Sequence, residues 1–283
     1  MRLLLFQAVA TIIFAHCSAH YVFGRFIFNN TITKTWEYVR PVDGYQGKTN
    51  DDNIVWPNQD PLSEDIRCGR NASATGKVLG KTAKINAGDK VGFAVGDPKM
   101  TFGSPVWQSL PPHVLHPGPG SVWLSKAPTD DLDAYKGDGD WFKILQVVGE
   151  EAQSPGKLLN TMAGDEIDLV WGMYQAQSWN FTIPRTTPPG KYLLRMEHFY
   201  SRSPNEVQFY TNCAQVEIMG PGGGTPGPLV KIPGVYKVGQ KEVYAATNSG
   251  LTGNFSTYLP PAPSVWRGDD PKPEALKPQV AFS

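Results

Sequence analysis

A histidine at a free N-terminus offers two nitrogens a few bonds apart, its amine and its imidazole, and the pair can chelate one transition metal. Residues 15–23 read Ala-His-Cys-Ser-Ala-His-Tyr-Val-Phe, and a cut after Ala19 would make His20 such a terminus. Beyond that point the histidines are His20, His113, His116 and His198. Imidazole suits copper, zinc and iron. His116 sits in Leu115-His116-Pro117-Gly118-Pro119, where proline and glycine hold it on a stiff turn. A fixed ligand on a loop is one reading and a surface histidine in a turn is the other; His113, three residues earlier, is a rival ligand. In Gln208-Phe209-Tyr210, strand alternation puts Gln208 and Tyr210 on one face. From there Tyr210 could approach a metal axially and Gln208 could hydrogen-bond a bound oxygen species. Core packing is the alternative for a strand tyrosine.

Hydrolytic chemistry finds less support. A glycosidase needs two facing carboxyl groups about 5–10 Å apart. Asp138, Asp140, Glu150, Glu151 and Glu197 supply no pair that stands out, and Gly137-Asp138-Gly139-Asp140 reads as a turn. The chain has no Gly-x-Ser-x-Gly, no glycine-rich phosphate loop and no His-Glu-x-x-His.

The first nineteen residues read as a signal peptide: Arg2, an apolar run to Ala15, then Cys17 and Ala19 at −3 and −1 of a cut before His20. The run is short for a membrane anchor, which needs about 20 residues. A secreted destination is expected, with no membrane partner. Cys68 and Cys213 then remain, and an even pair in a secreted chain suggests one disulfide, with two free thiols as the alternative. Sequons at Asn29, Asn71, Asn180 and Asn254 are glycosylation candidates in that compartment. Lys and Arg number 26 and so do Asp and Glu, which argues against nucleic acid as a partner.

The elements that must position these residues are short strands. With 29 glycines and 25 prolines in 283 residues, turns and long loops dominate. Strand patterns fall at 21–28, 83–85, 90–95, 121–125, 140–147, 164–171, 179–183, 190–198 and 207–210 running on to 216–218, with a polar loop region over 29–67. No 3.6-residue periodicity competes. The expected fold is an all-β sandwich with long loops. Residues 20–266 form one domain, its Gly/Pro-rich part from 221 to 266 lying extended along it rather than linking to a second domain, and 267–283 form a polar tail.

In this order several short stretches resemble the fungal cellulose-active lytic polysaccharide monooxygenases, auxiliary-activity family nine (formerly glycoside hydrolase family sixty-one). They include His20-Tyr21-Val22-Phe23, Asp65-Ile66-Arg67-Cys68, His116-Pro117-Gly118-Pro119, Gly137-Asp138-Gly139-Asp140-Trp141-Phe142-Lys143, Pro188-Pro189-Gly190-Lys191-Tyr192, Gln208-Phe209-Tyr210 and Cys213-Ala214-Gln215. The resemblance implies an immunoglobulin/fibronectin-type-III-like sandwich and one copper ion in a histidine brace. His20 would bind through amine and imidazole, His116 would give the third nitrogen, Tyr210 would stand axially and Gln208 behind it. The family's disulfide falls on Cys68 and Cys213, and its flat aromatic sugar contact on Tyr236, for which packing of the C-terminal segment is the alternative. The implied reaction is oxidative cleavage of cellulose or a related β-glucan by a monomer, using an external electron donor with oxygen or hydrogen peroxide.

One departure stands out. The family's Glu-His is followed, after three intervening residues, by another histidine, whereas Glu197-His198 is followed by Arg202 at that spacing. Arginine offers a permanent charge and five donors in a rigid fork, but no proton that titrates near neutral pH. The alternative this keeps open is a brace protein that binds copper or glycan with little or altered oxygenase activity.

Overall fold

The two longest strand patterns, at 190–198 and 207–218, become the two longest strands. In the computed structural model, which describes residues 20–48, 51–73, 80–96, 112–155, 158–159, 166–167, 171–244 and 258–268, β10 (Gly190–Ser203) and β11 (Glu206–Met219) form one long antiparallel hairpin. With β3 (Thr82–Asn86), β5 (Gly120–Lys126) and β6 (Phe142–Val147) they build a five-stranded sheet in the order β3-β11-β10-β5-β6. The pairing of β11 with β3 is parallel. The second sheet, β2-β1-β4-β9, uses β1 (Arg25–Phe28), β2 (Thr31–Ile32), β4 (Lys90–Ala94) and β9 (Ser178–Thr182). Strands β7 (Leu158–Leu159) and β8 (Glu166–Ile167) pair with each other. The expected all-β sandwich is what the chain forms.

The five-stranded sheet is buried on both faces, so polar residues of its strands such as Arg195, Glu197, Asn212 and Gln215 are buried as well. On the inner face Val122, Leu124, Tyr192, Leu194, Met196, Tyr210, Ala214, Val216 and Ile218 pack toward the other sheet. On the outer face Trp123, Leu193, Phe199, Phe209 and Cys213 meet a second cluster. That cluster is completed by loops and by the C-terminal segment, which contributes Ile232, Tyr236, Val243 and Tyr244. Val230 pairs with Trp141 through two backbone bonds of 2.8 and 2.9 Å. Further on, Pro261 accepts from Lys143 Nζ at 2.8 Å and Trp266 packs on Phe142 at 5.4 Å. The described parts of the segment from residue 221 thus contact the sandwich.

The region 29–67, expected to be one long loop, is more structured. It holds the hairpin strand β2, a short helix α1 (Asp51–Ile54) and 3-10 turns at Tyr45–Gly47 and Glu64–Ile66. Close to the C-terminal side of the sheet a second short helix, α2 (Lys241–Tyr244), follows. Residues 1–19, Asn254 and 269–283 lie outside the described residues. No helix among the described residues is long and apolar enough to cross a membrane.

Candidate metal centre

Four pieces of chain converge at one end of the sandwich. His20 precedes β1, His116 precedes β5, Tyr200 on β10 pairs with Gln208 on β11, and Tyr210 follows on β11. The segment after His20 is pinned by its backbone: Phe23 N donates to Asn212 Oδ1 at 2.8 Å, and Gly96 N donates to Val22 O at 2.9 Å. The loop of His116 approaches β10 closely at Gly118, whose φ is +157° and where a Cβ would lie 2.0 Å from Phe199 O. That contact lets His116 lie flat on Tyr200, with ring centroids 4.3 Å apart and planes at 3°.

The result is a triangle of rings. His20 and His116 are 6.1 Å apart between centroids, and Tyr210 stands 6.3 Å from the first and 5.9 Å from the second. His116 Nε2 is buried without a hydrogen-bond partner. A buried imidazole nitrogen left unpaired is unfavourable unless something else takes it. Burial lowers the His20 pKa to about 4, and burial plus the neighbouring His20 and His198 lowers that of His116 to about 3. Both rings are therefore neutral at neutral pH, the form that ligates metal. Among the described residues no three His, Cys, Asp or Glu side chains gather to hold an ion. Among the described residues the imidazoles that face each other here are those of His20 and His116. The residues present fit a metal that prefers imidazole and amine donors.

Behind the triangle the hydrogen bonds run one way. Tyr210 Oη donates to Gln208 Oε1 at 2.7 Å, so the two side chains do share a face. Tyr21 stacks on Tyr210 at 4.1 Å and 9°. His198 is wholly buried and belongs to this support. Its Nε2 faces Gly118 O at 3.1 Å, which can only accept, so Nε2 carries the proton. Its Nδ1 then accepts from Tyr21 Oη at 2.5 Å. Burial is the first cause that lowers its pKa, to about 3. Burial also holds the phenols of Tyr21 and Tyr210 well above their ordinary value.

Other expectations fare differently. His116, not His113, supplies the ring that faces His20. Cys68 and Cys213 are joined as a disulfide across 145 residues. Arg202 lies within β10 at the register shift between Ser201 and Ser203, and its side chain is outside the described set.

Tyr236 is a correction. It is only 1% exposed and stacks on Phe209 at 5.7 Å in the outer cluster, so it presents no face to a sugar. Its hydroxyl instead donates to Glu197 Oε1 at 2.5 Å. Glu197 also receives Ser121 Oγ at 2.9 Å and pairs with buried Arg195. Burial pushes the Glu197 carboxyl up, but Arg195 and these bonds outweigh it and hold it below its usual value. Asn180 is a second correction: 2% exposed within β9, it leaves no room for a glycan in the folded chain. Asn29 is exposed on the β1–β2 turn, and Asn71 is exposed with its Nδ2 donating to Asp43 at 3.0 Å.

Sequence reasoning missed the aromatics that frame the site. Tyr21 reads as an ordinary strand residue, and Tyr200 lies just past the strand pattern that ends at 198. Trp56 sits in the polar loop region, and its ring lies 4.5 Å from that of His20.

Comparison with known proteins finds relatives over most of the chain. A family profile described as Auxiliary Activity family 9 (formerly GH61) matches residues 20–258. Lytic polysaccharide monooxygenase U of that family, from Thermothielavioides terrestris, is 37% identical over 88% of this chain and 93% of its own length. Monooxygenase C from Emericella nidulans is 34% identical over 89% and 93%. Among solved structures, HiLPMO9B superposes with a TM-score of 0.59 at 25% identity, covering 88% of this chain and all of that one. A cellulose-active polysaccharide monooxygenase from M. thermophila, at 22% identity and a TM-score of 0.58, shares the fold.

Proposed function

The chain belongs to auxiliary activity family 9, the copper-dependent lytic polysaccharide monooxygenases, and on that premise we propose a secreted, monomeric enzyme that oxidatively cleaves cellulose or a related β-glucan. It would take electrons from an external small-molecule reductant or redox enzyme, with oxygen or hydrogen peroxide as co-substrate. The observation that carries this is the facing of His20 and His116 at 6.1 Å beside Tyr210, with His116 Nε2 buried and unpaired.

His20 would hold copper through amine and imidazole and His116 through the nitrogen it leaves open. Bound there, copper supplies the one-electron and oxygen chemistry that attacks a C–H bond beside the glycosidic oxygen. The chain's own groups do the positioning. Tyr210 gives its proton to Gln208 and so turns lone pairs, not a donor, toward the remaining space. Tyr21 and His198 clamp Tyr210 from behind and keep that side dry. Loss of residues 1–19 is a requirement, because a peptide bond at His20 would remove the amine; the family match starting at residue 20 supports the cut. Of the sequons, Asn29 is the better glycosylation candidate, since the Asn71 amide is already engaged. Mass mapping of glycopeptides from the secreted protein checks both.

The test is incubation of the mature protein with copper, ascorbate and swollen cellulose, followed by mass spectrometry. Oxidised cello-oligosaccharides that need the reductant are expected. Reducing ends released without reductant would overturn the reading in favour of hydrolysis. Arg202 favours the second reading, copper or glycan binding with altered turnover. A fixed cation near the metal would favour a bound anion, yet cannot relay a proton. If that reading holds, Arg202→His raises oxidised product while copper affinity stays put. Equal, full cellulose oxidation by both forms would exclude it.

A further inference from the structure

We infer that Trp56, backed by Tyr45 and Arg70, is a positioning residue that sets the orientation of the His20 imidazole. The inference rests on the reading of His20 as a metal ligand. The Trp56 ring meets that of His20 at 4.5 Å with the planes at 72°, an edge contact. Tyr45 stacks behind Trp56 at 5.5 Å and 29°. Arg70 in turn holds its guanidinium carbon 5.6 Å from the Tyr45 ring centre. The four side chains form a column that ends on His20.

The column is anchored from below. Arg70 Nη2 donates to the carbonyl of Trp56 at 2.7 Å, and Nη1 donates to Asn58 Oδ1 at 3.1 Å. Asn58 exchanges backbone bonds with Phe209 at 2.7 and 3.1 Å. Phe209 is the neighbour of Tyr210 on β11. The loop that carries Trp56 is thereby tied to the strand that carries the axial tyrosine, and both partners of His20 share one frame.

Tyr45 is 41% exposed and Trp56 is 37% exposed, the only large aromatics so open among the described residues. Core packing does not explain them. What the column does reach is the ring of a residue that has special need of restraint. A histidine at a chain terminus has no preceding peptide to limit its torsions, and chelation by amine and imidazole demands one arrangement of them. An aromatic edge contact narrows the ring's freedom before any metal arrives.

Mature protein is compared with Trp56→Ala, Trp56→Phe and Tyr45→Leu. The readouts are copper(II) affinity by chelator competition, the copper(II) electron paramagnetic resonance spectrum, and the His20 ring signals in the NMR spectrum of the metal-free protein. Trp56→Ala is expected to weaken copper binding about tenfold, a shift typical of lost outer support for a ligand. It should also change the paramagnetic spectrum and broaden the His20 ring signals. Trp56→Phe should keep all three close to the parent, and Tyr45→Leu should move them in the direction of Trp56→Ala. Unchanged affinity, spectrum and ring signals in Trp56→Ala overturn the inference. If Trp56→Ala fails to fold, a Tyr45→Leu protein that matches the parent in all three readouts overturns it instead. A parent protein that binds no copper despite a free His20 terminus would sink the metal reading, while the ring signals of the metal-free variants still decide the role of Trp56.

Discussion

Two residues with opposite fates show what a single side chain decides here. His116 keeps one nitrogen buried and unpaired. His116→Ala should therefore reduce copper affinity by on the order of 100-fold or more, beyond the 10–100-fold of outer partners, with little change in unfolding temperature. Calorimetric titration of the mature protein checks it. Tyr236, by contrast, spends its hydroxyl on a buried carboxylate. Tyr236→Phe should cost about 1.5–3 kcal/mol of stability, the value of a hydrogen bond to a charged group. Urea unfolding measures that loss, and cellulose binding by the same variant should be unaltered; weakened binding with intact stability would return Tyr236 to a sugar-contact role.

At the scale of elements, the two covers of the five-stranded sheet carry different burdens. The outer cover is stitched by the disulfide that joins the loop at Cys68 to Cys213 on β11. Closing a loop of 145 residues restricts the unfolded chain, and its removal by Cys68→Ala with Cys213→Ala should lower stability by about 3–5 kcal/mol in guanidinium titrations. The inner cover meets the metal centre through the turn at Gly118. A Cβ there would press to 2.0 Å from Phe199 O, so the turn has to move outward and take His116 off Tyr200. Gly118→Ala should thus weaken copper binding more than it lowers the melting temperature. A variant that loses stability but binds copper as before would show that the stack on Tyr200 does not set the ligand.

For the molecule as a whole, buried neutral histidine links folding to pH. Folded His198 stays neutral down to about pH 3 because burial disfavours its charged form. In the unfolded chain a histidine takes up its proton below about pH 6.5. Its contribution to stability is therefore complete above that value and is lost as pH falls toward the folded value. Metal-free protein should lose up to roughly 1.4 kcal/mol per pH unit from this one group between pH 6 and 4. Denaturant midpoints across that range check it, and His198→Asn should flatten the slope.

Much of this molecule can be read along the chain. Alternation in 190–198 and 207–218 is local, so the two central strands were legible, and so was the common face of Gln208 and Tyr210. A terminal histidine's chelating pair is a matter of covalent connectivity, which makes His20 legible once a cut is recognised. The turn of His116-Pro-Gly-Pro marked a loop and left His113 as a rival; the family resemblance picked His116, and the fold turns its ring toward His20. Tyr236 shows the limit most plainly: the family resemblance left a sugar contact and packing of the C-terminal segment both open, and it is the outer cluster that buries it against Glu197. Trp56 shows the converse, for nothing local says that a tryptophan in a polar loop will lie against His20, 36 residues earlier in sequence. Strand pattern and terminus chemistry are written in neighbours along the chain; burial and ring-to-ring facing depend on contacts between residues far apart in it, and only the packed sandwich decides those.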